Sequence, residues 1–163
     1  MNTILGIDPG SSQSGYAIWH VPDQSLVTSG VADNQELMQE VINRHSGPIV
    51  IELTPLYPMK TAGGHAYVPS QVGDTMFETG RFHEYILQYT NVDPVYIKRS
   101  EVLKNLEANK RNRGTKDSQV IAMLTQRLGS KGTKANPGPL FGIASHAWQA
   151  LAVAITAIDQ NLI

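Results

Sequence analysis

Two short apolar runs, each ending in a single acid, constrain this chain more than any other feature. Ile4-Leu5-Gly6-Ile7 runs straight into Asp8, and Pro48-Ile49-Val50-Ile51 runs into Glu52 before Leu53. Both read as strands buried on both faces. A buried acid is costly unless it is paired or bound to a metal, so a fold that accepts these strands must also accommodate their carboxylates. Asp8 is followed by Pro9-Gly10, a turn that lets it project from the sheet edge into a crevice, where ligands of open α/β sheets bind. An aspartate capping a Pro-Gly turn is the competing explanation. For Glu52 the competitor is an edge strand facing water, and the bulky neighbours Ile51 and Leu53 argue against it. Two such acids on central strands make a negative pocket of the kind that hard divalent cations such as Mg²⁺ prefer.

The rest of the chain supplies the frame. Asn2–Asp8 is expected as the first strand, and Gly15–Val21 and Ser25–Ala32 as the second and third, joined as a meander through the turn at Val21-Pro22-Asp23-Gln24. Leu37, Val41 and Ile42 give Asn34–His45 a helical spacing, with Asp33 or Asn34 as cap. Pro48–Leu53 is the fourth strand, and Thr54–Pro69 is expected as a loop. Ser70–Tyr89 is a long amphipathic helix, Asp93–Lys98 a fifth strand, and Ser100–Leu106 a short helix capped by its serine. A basic loop over Ala108–Lys116 leads to a helix at Asp117–Leu128. Gly129–Leu140 is a Gly/Pro/Lys linker, expected to be the least ordered part. The last helix is Ala144–Ile158, with Ala147, Trp148, Leu151, Ala152 and Ile155 on one face. Three strands followed by alternating helix and strand predict an α/β domain: one five-stranded mixed sheet with helices on both faces. At 163 residues the chain suits a single domain with a full core.

Composition narrows the function classes. The chain has no cysteine, which excludes a disulfide framework, a thiolate zinc site and a cysteine nucleophile, and fits a reducing, cytoplasmic setting. No apolar run is long enough to span a membrane, and the N-terminus opens into a strand without a basic leader, so no signal peptide is expected. The formal net charge of −1 hides a segregation. Lys98–Lys134 holds ten Lys/Arg against three acids, while the remainder holds three Lys/Arg and eleven acids. A basic third of this kind can bind a polyanion, or can be no more than a solvated surface.

His146 and Gln149 are three residues apart near the start of the last helix and share a face distinct from the Trp148/Leu151 stripe. Imidazole can ligate a metal, with a preference for softer ions such as Mn²⁺, and an amide oxygen can do so weakly. A helix-start histidine and a solvated glutamine are the ordinary alternative.

Taken in order, Ile4–Ile18, Ile49–Leu53, Lys116–Leu128 and Ser145–Ile158 resemble the motifs of the RuvC family of Holliday junction resolvases, and look most like its phage-type members. The resemblance covers nearly the whole chain and is most specific at its two ends. It implies a ribonuclease H-like fold and a metal-dependent endonuclease that resolves four-way DNA junctions by paired nicks. It also implies Mg²⁺, with Mn²⁺ as a substitute and two ions per site, and a two-fold homodimer. Asp8 matches the family's first-strand aspartate and Glu52 its mid-chain glutamate. His146 falls where the family has Asp or His. Gln149 falls where the family has a second aspartate, a departure that leaves two formal charges among four matched positions and weakens the hold on a second ion. The family's lysine before Ser-Gln-Val is Asp117 here, with Lys116 one position earlier.

On this reading Asp8, Glu52, His146 and Gln149 are the catalytic and metal-binding set. Lys104, Lys110, Arg111, Arg113 and Lys116 contact phosphates, Tyr57 (or Leu56) is the aromatic wedge, and the Ser70–Tyr89 helix is the dimer interface. Three alternatives stay open: a junction-binding protein with weak or lost cleavage, a ribonuclease H-fold nuclease acting on other branched or hybrid nucleic acids, and a sugar-kinase/actin-type phosphotransferase. The last needs a duplicated fold for which the chain has no room.

Overall fold

The structure is a computed structural model that describes residues 2–54, 59–108 and 116–163, the side chains of residues 59, 60 and 116 excepted. The elements in chain order are β1 (Thr3–Asp8), β2 (Gln13–His20), β3 (Ser25–Asp33), α1 (Asn34–Glu36), β4 (Ile49–Leu53), β5 (Met59–Lys60), β6 (Ala66–Tyr67), α2 (Ser70–Tyr89), β7 (Val95–Lys98), α3 (Arg99–Asn105), α4 (Lys116–Leu128) and α5 (Ala147–Asp159). One mixed sheet runs in the order β3-β2-β1-β4-β7. Its first three strands form an antiparallel meander, and β4 and β7 add in parallel to β1. The predicted α/β sheet is therefore present, and the carboxyl ends of β1, β4 and β7 share one rim.

Side-chain alternation sorts the core into two layers. Ile4, Ala17, Trp19, Val50 and Ile97 point to the face covered by α3, α4 and α5. Leu5, Ile7, Ile49 and Ile51 point to the other face, where Leu37, Met38 and Ile42 follow α1 and Phe82 and Ile86 come from α2. Both faces of the central strands are dry, which is why β1 and β4 read as unbroken apolar runs. α2 buries one stripe and leaves Phe77, Leu87 and Tyr89 exposed.

Several expectations change in detail. The helix expected at Asn34–His45 is α-helical for one turn, capped by Asp33 accepting from Gln35 N–H at 2.9 Å, and then continues as a π-helical segment, Leu37–Ile42. The wider turn aligns Leu37 and Ile42, five residues apart, over the sheet. The loop expected at Thr54–Pro69 contains the β5–β6 hairpin. In α3 the cap is not Ser100, which lies inside the helix; Lys98 N–H instead donates to Glu101 Oε2 at 2.7 Å. The linker Gly129–Leu140 folds back on itself through a Gly132–Pro137 bridge and docks on β3 through Leu26 N–H to Pro139 O at 3.2 Å.

α5 differs most. It begins at Ala147 rather than Ala144, and every residue from Ala147 to Ala157 is buried, not one stripe. It lies between the sheet and helices α3 and α4, and a helix enclosed on all sides is apolar all round. No helix among the described residues is long and apolar enough to cross a membrane.

Candidate active site

The shared rim assembles the site. Asp8 is the last residue of β1, paired across the sheet with Gly15. On the other side, Ile7 pairs with Ile51, so one residue on, Asp8 and Glu52 stand side by side on the α5 face. β4 lies between β1 and β7, which rules out the edge-strand explanation for Glu52. Only 7 % of that residue is exposed.

α5 reaches the acids because two glycines let it. A Cβ at Gly6 would lie 2.0 Å from the carbonyl oxygen of Ala150, and one at Gly15 would lie 2.5 Å from the backbone carbonyl of His146. Any side chain at either position would lift the first turns of the helix off the sheet. Held down in this way, His146 sits at the N-cap position and brings its Nδ1 to 3.1 Å from Asp8 Oδ2. Gln149 is buried one turn further on.

The β1–β2 turn beside Asp8 is braced from below. Ser14 Oγ accepts from Gly10 N–H at 3.1 Å and donates to Asn34 Oδ1 at 2.7 Å, and Asn34 Nδ2 donates to Gly10 O at 3.1 Å. The buried Ser14 and Asn34 thereby fix the loop that presents Asp8. Ser14 was not anticipated and Asn34 was expected only as a possible helix cap, because their bracing roles depend on α1 packing under a turn some twenty positions earlier.

Arg99, the first residue of α3, is the unexpected occupant. Its Nη1 lies 3.3 Å from Glu52 Oε2 and also donates to Gln149 Oε1, while its Nη2 donates to Asp117 Oδ1. The side chain is 17 % exposed, so the guanidinium is held inside the cluster. The parallel register explains its position. Glu52 pairs with Ile97, and the next residue on that face, just past the end of β7, is Arg99. A basic residue directly after the fifth strand was the available signal.

The site is a cavity of about 500 Å³ lined by Asp8, Glu52, Arg99, Asp117, His146 and Gln149 and walled by the Pro9–Gln13 turn. Burial raises the Asp8 pKa, and the hydrogen bond and charge of His146 pull it back only in part. Burial pushes Glu52 up to about 7; Arg99 opposes the shift and the Asp8 charge adds to it. Both carboxyls are thus held up chiefly by burial, which Arg99 and His146 offset only in part.

Among the described residues no three His, Asp or Glu side chains come together as a ready metal cluster. Asp8 and His146 nevertheless have the donor atoms to hold a divalent ion. Asp8 and His146 face each other at the open side of the cavity, whereas Glu52 and Gln149 are both engaged by Arg99. Of the expected DNA contacts, Lys104 is exposed on α3, outside the cavity lining. Tyr57, Lys110, Arg111 and Arg113 lie outside the described residues, as do Leu56 and the side chain of Lys116.

No family model matches the sequence, and no curated protein matches it. Solved structures do match. RuvC of T. thermophilus in complex with a Holliday junction substrate superposes with a TM-score of 0.69 at 16 % identity, over 99 % of this chain and 96 % of that one. A second Thermus thermophilus RuvC structure gives 0.65 at 17 % identity, over 98 % and 95 %. At such identity the likeness is one of architecture, and it extends from end to end: the chain has a RuvC-like, ribonuclease H-like fold.

Proposed function

We propose that this chain is a metal-dependent endodeoxyribonuclease that resolves four-way DNA junctions by paired symmetric nicks. The observation that carries the reading is the convergence of Asp8, Glu52, His146 and Gln149, from two central strands and one helix, on a single polar cavity at the rim of a RuvC-like sheet. One of the solved RuvC structures holds a Holliday junction substrate, which supports branched DNA as the substrate class.

Phosphodiester hydrolysis needs a deprotonated water in line with the leaving 3′ oxygen and positive charge around the phosphate. A bound Mg²⁺ or Mn²⁺ supplies both a water of lowered pKa and polarisation of the phosphate. Asp8 and His146 would hold that ion. Their facing atoms, Asp8 Oδ2 and His146 Nδ1, lie 3.1 Å apart, so the ion would take the place of the proton between them, bound by the ionised carboxylate and the unprotonated Nδ1. Glu52 and Arg99 form the back wall, and the buried guanidinium adds a fixed positive charge beside the reacting phosphate.

The basic segment offers the DNA track. Lys104 with Lys110, Arg111, Arg113 and Lys116 would neutralise phosphates along the arms, reading shape rather than sequence, and Tyr57 would stack at the junction centre. Two symmetric nicks need two sites, hence a homodimer. The exposed Met76, Phe77, Leu87 and Tyr89 on α2 support that helix as the interface.

The test is a labelled four-way junction incubated in Mg²⁺ or Mn²⁺ with the parent chain and with Asp8→Asn. The parent should introduce paired nicks with time, and the variant should bind the junction without cutting. A parent that binds but never nicks in either metal overturns the reading in favour of a junction binder without cleavage, which Gln149 in place of an acid would suit.

A further inference from the structure

The nuclease reading leaves Arg99 and Gln149 without a full account. We propose that Arg99 replaces a second metal ion: the site takes one divalent cation, at Asp8 and His146, and the guanidinium permanently fills the position between Glu52 and Gln149. The proposal rests on the nuclease reading for what the ion does, but not for how many ions bind.

Geometry is the first support. The guanidinium makes three side-chain contacts, to Glu52, Gln149 and Asp117, and a fork of this shape can satisfy several oxygens at once. Its backbone is equally constrained. It follows β7 directly, β7 is pinned to β4 by parallel pairing, and the start of α3 is closed by the Lys98–Glu101 bond. Arg99 is therefore built into the rim, unlike a surface arginine that swings in.

Charge is the second support. With all three ionised, as a bound cation would favour, Asp8, Glu52 and Asp117 bring three negative charges to the cavity, and Arg99, which does not deprotonate in proteins, brings one positive charge. Two negative charges remain, the charge of one divalent ion. A second ion would leave the half-enclosed cavity with two uncompensated positive charges before DNA arrived, and unpaired charge in a low-dielectric site is costly.

Gln149 is the third. An amide oxygen accepts from the guanidinium without adding the charge that would draw another cation. A carboxylate there would leave the cavity one charge more negative. The glutamine thus reads as the partner of Arg99, and the departure at position 149 and the arginine at position 99 become one feature.

The test is a Mn²⁺ titration of the DNA-free chain followed by electron paramagnetic resonance, with the parent, Arg99→Gln and Asp8→Asn. The parent should bind one ion per chain, and Asp8→Asn should lose it. Arg99→Gln should bind two, its second site at least about tenfold tighter than any second site in the parent, because a unit charge has left the ligand shell. Arg99→Ala serves if the glutamine variant does not fold. Two ions on the parent, or none, overturns the proposal whatever the variants do, as does an Arg99 variant that titrates like the parent. Junction nicking is scored separately: a chain that binds one Mn²⁺ and cuts no junction loses the nuclease reading but keeps this one.

Discussion

Glu52→Gln should change how stability depends on pH, by an amount the structure sets. Burial holds the Glu52 carboxyl at about 7, against 4.5 for a free glutamate, even with Arg99 beside it. In the absence of metal, the folded chain therefore keeps a proton between those values that the unfolded chain has released. The folded state binds more protons, so the slope of unfolding free energy with pH is negative. The contribution is fully present below about 4.5, is lost as pH rises through about 7, and is flat beyond. One proton over that interval is worth about 3 kcal/mol, which for a chain of this size is roughly 6–12 °C in melting temperature. Glutamine mimics the protonated acid and cannot titrate. Urea unfolding of both proteins in EDTA from pH 5 to pH 8 should give curves that diverge, with the parent losing stability relative to the variant. Asp8 is raised in both backgrounds, so its own loss is common to the two curves apart from the part that couples it to Glu52. Saturating Mg²⁺ should shrink the parent's loss, because a bound cation favours the ionised acids. Parallel curves in EDTA would refute the claim that Glu52 is buried without enough positive charge.

Other outcomes follow from the same geometry. Gly6→Ala forces a methyl against the Ala150 carbonyl and should cost about 1–3 kcal/mol or more in urea unfolding; an unchanged midpoint would mean that α5 does not lie that close to β1. Asp159, held below the usual carboxylate range chiefly by its hydrogen bond from Arg127, ties the end of α5 to α4. Its contribution is present above the ordinary aspartate pKa and fades as pH falls through the lowered one, so Asp159→Ala should cost about 1 kcal/mol at pH 7 and much less near pH 2. Equal costs at both pH values would count against the pair. Removing Lys110, Arg111 and Arg113 together should flatten the salt dependence of junction affinity by up to about three in the log–log slope. A slope that does not move would take that loop off the DNA.

What could be read ahead of the structure was local. β1 and β4 announced themselves because a doubly buried strand leaves an unbroken apolar run, and an acid at the end of such a run is conspicuous whatever surrounds it. α2 was legible to the residue because twenty positions of amphipathic spacing leave little choice. The π-helical turn after Glu36 was not, since one extra residue per turn leaves a pattern within the scatter of an ordinary helix. Nor was the β5–β6 hairpin, two residues per strand around Gly63-Gly64 with no apolar alternation to mark it.

The candidate site divides the same way. Asp8 and Glu52 were visible in the sequence as residues out of keeping with their neighbours, whereas His146 and Gln149 were singled out by their shared helix face and by the family resemblance. Their meeting depends on two glycines that admit α5 and on a sheet order that joins strands far apart in the chain. Arg99 could not be placed without that order: its tie to Glu52 spans 47 positions and exists only because β7 pairs in parallel with β4 in one particular register. Side-chain chemistry is written in the residues themselves. Which charge neutralises which is decided by distance, and distance belongs to the folded chain alone.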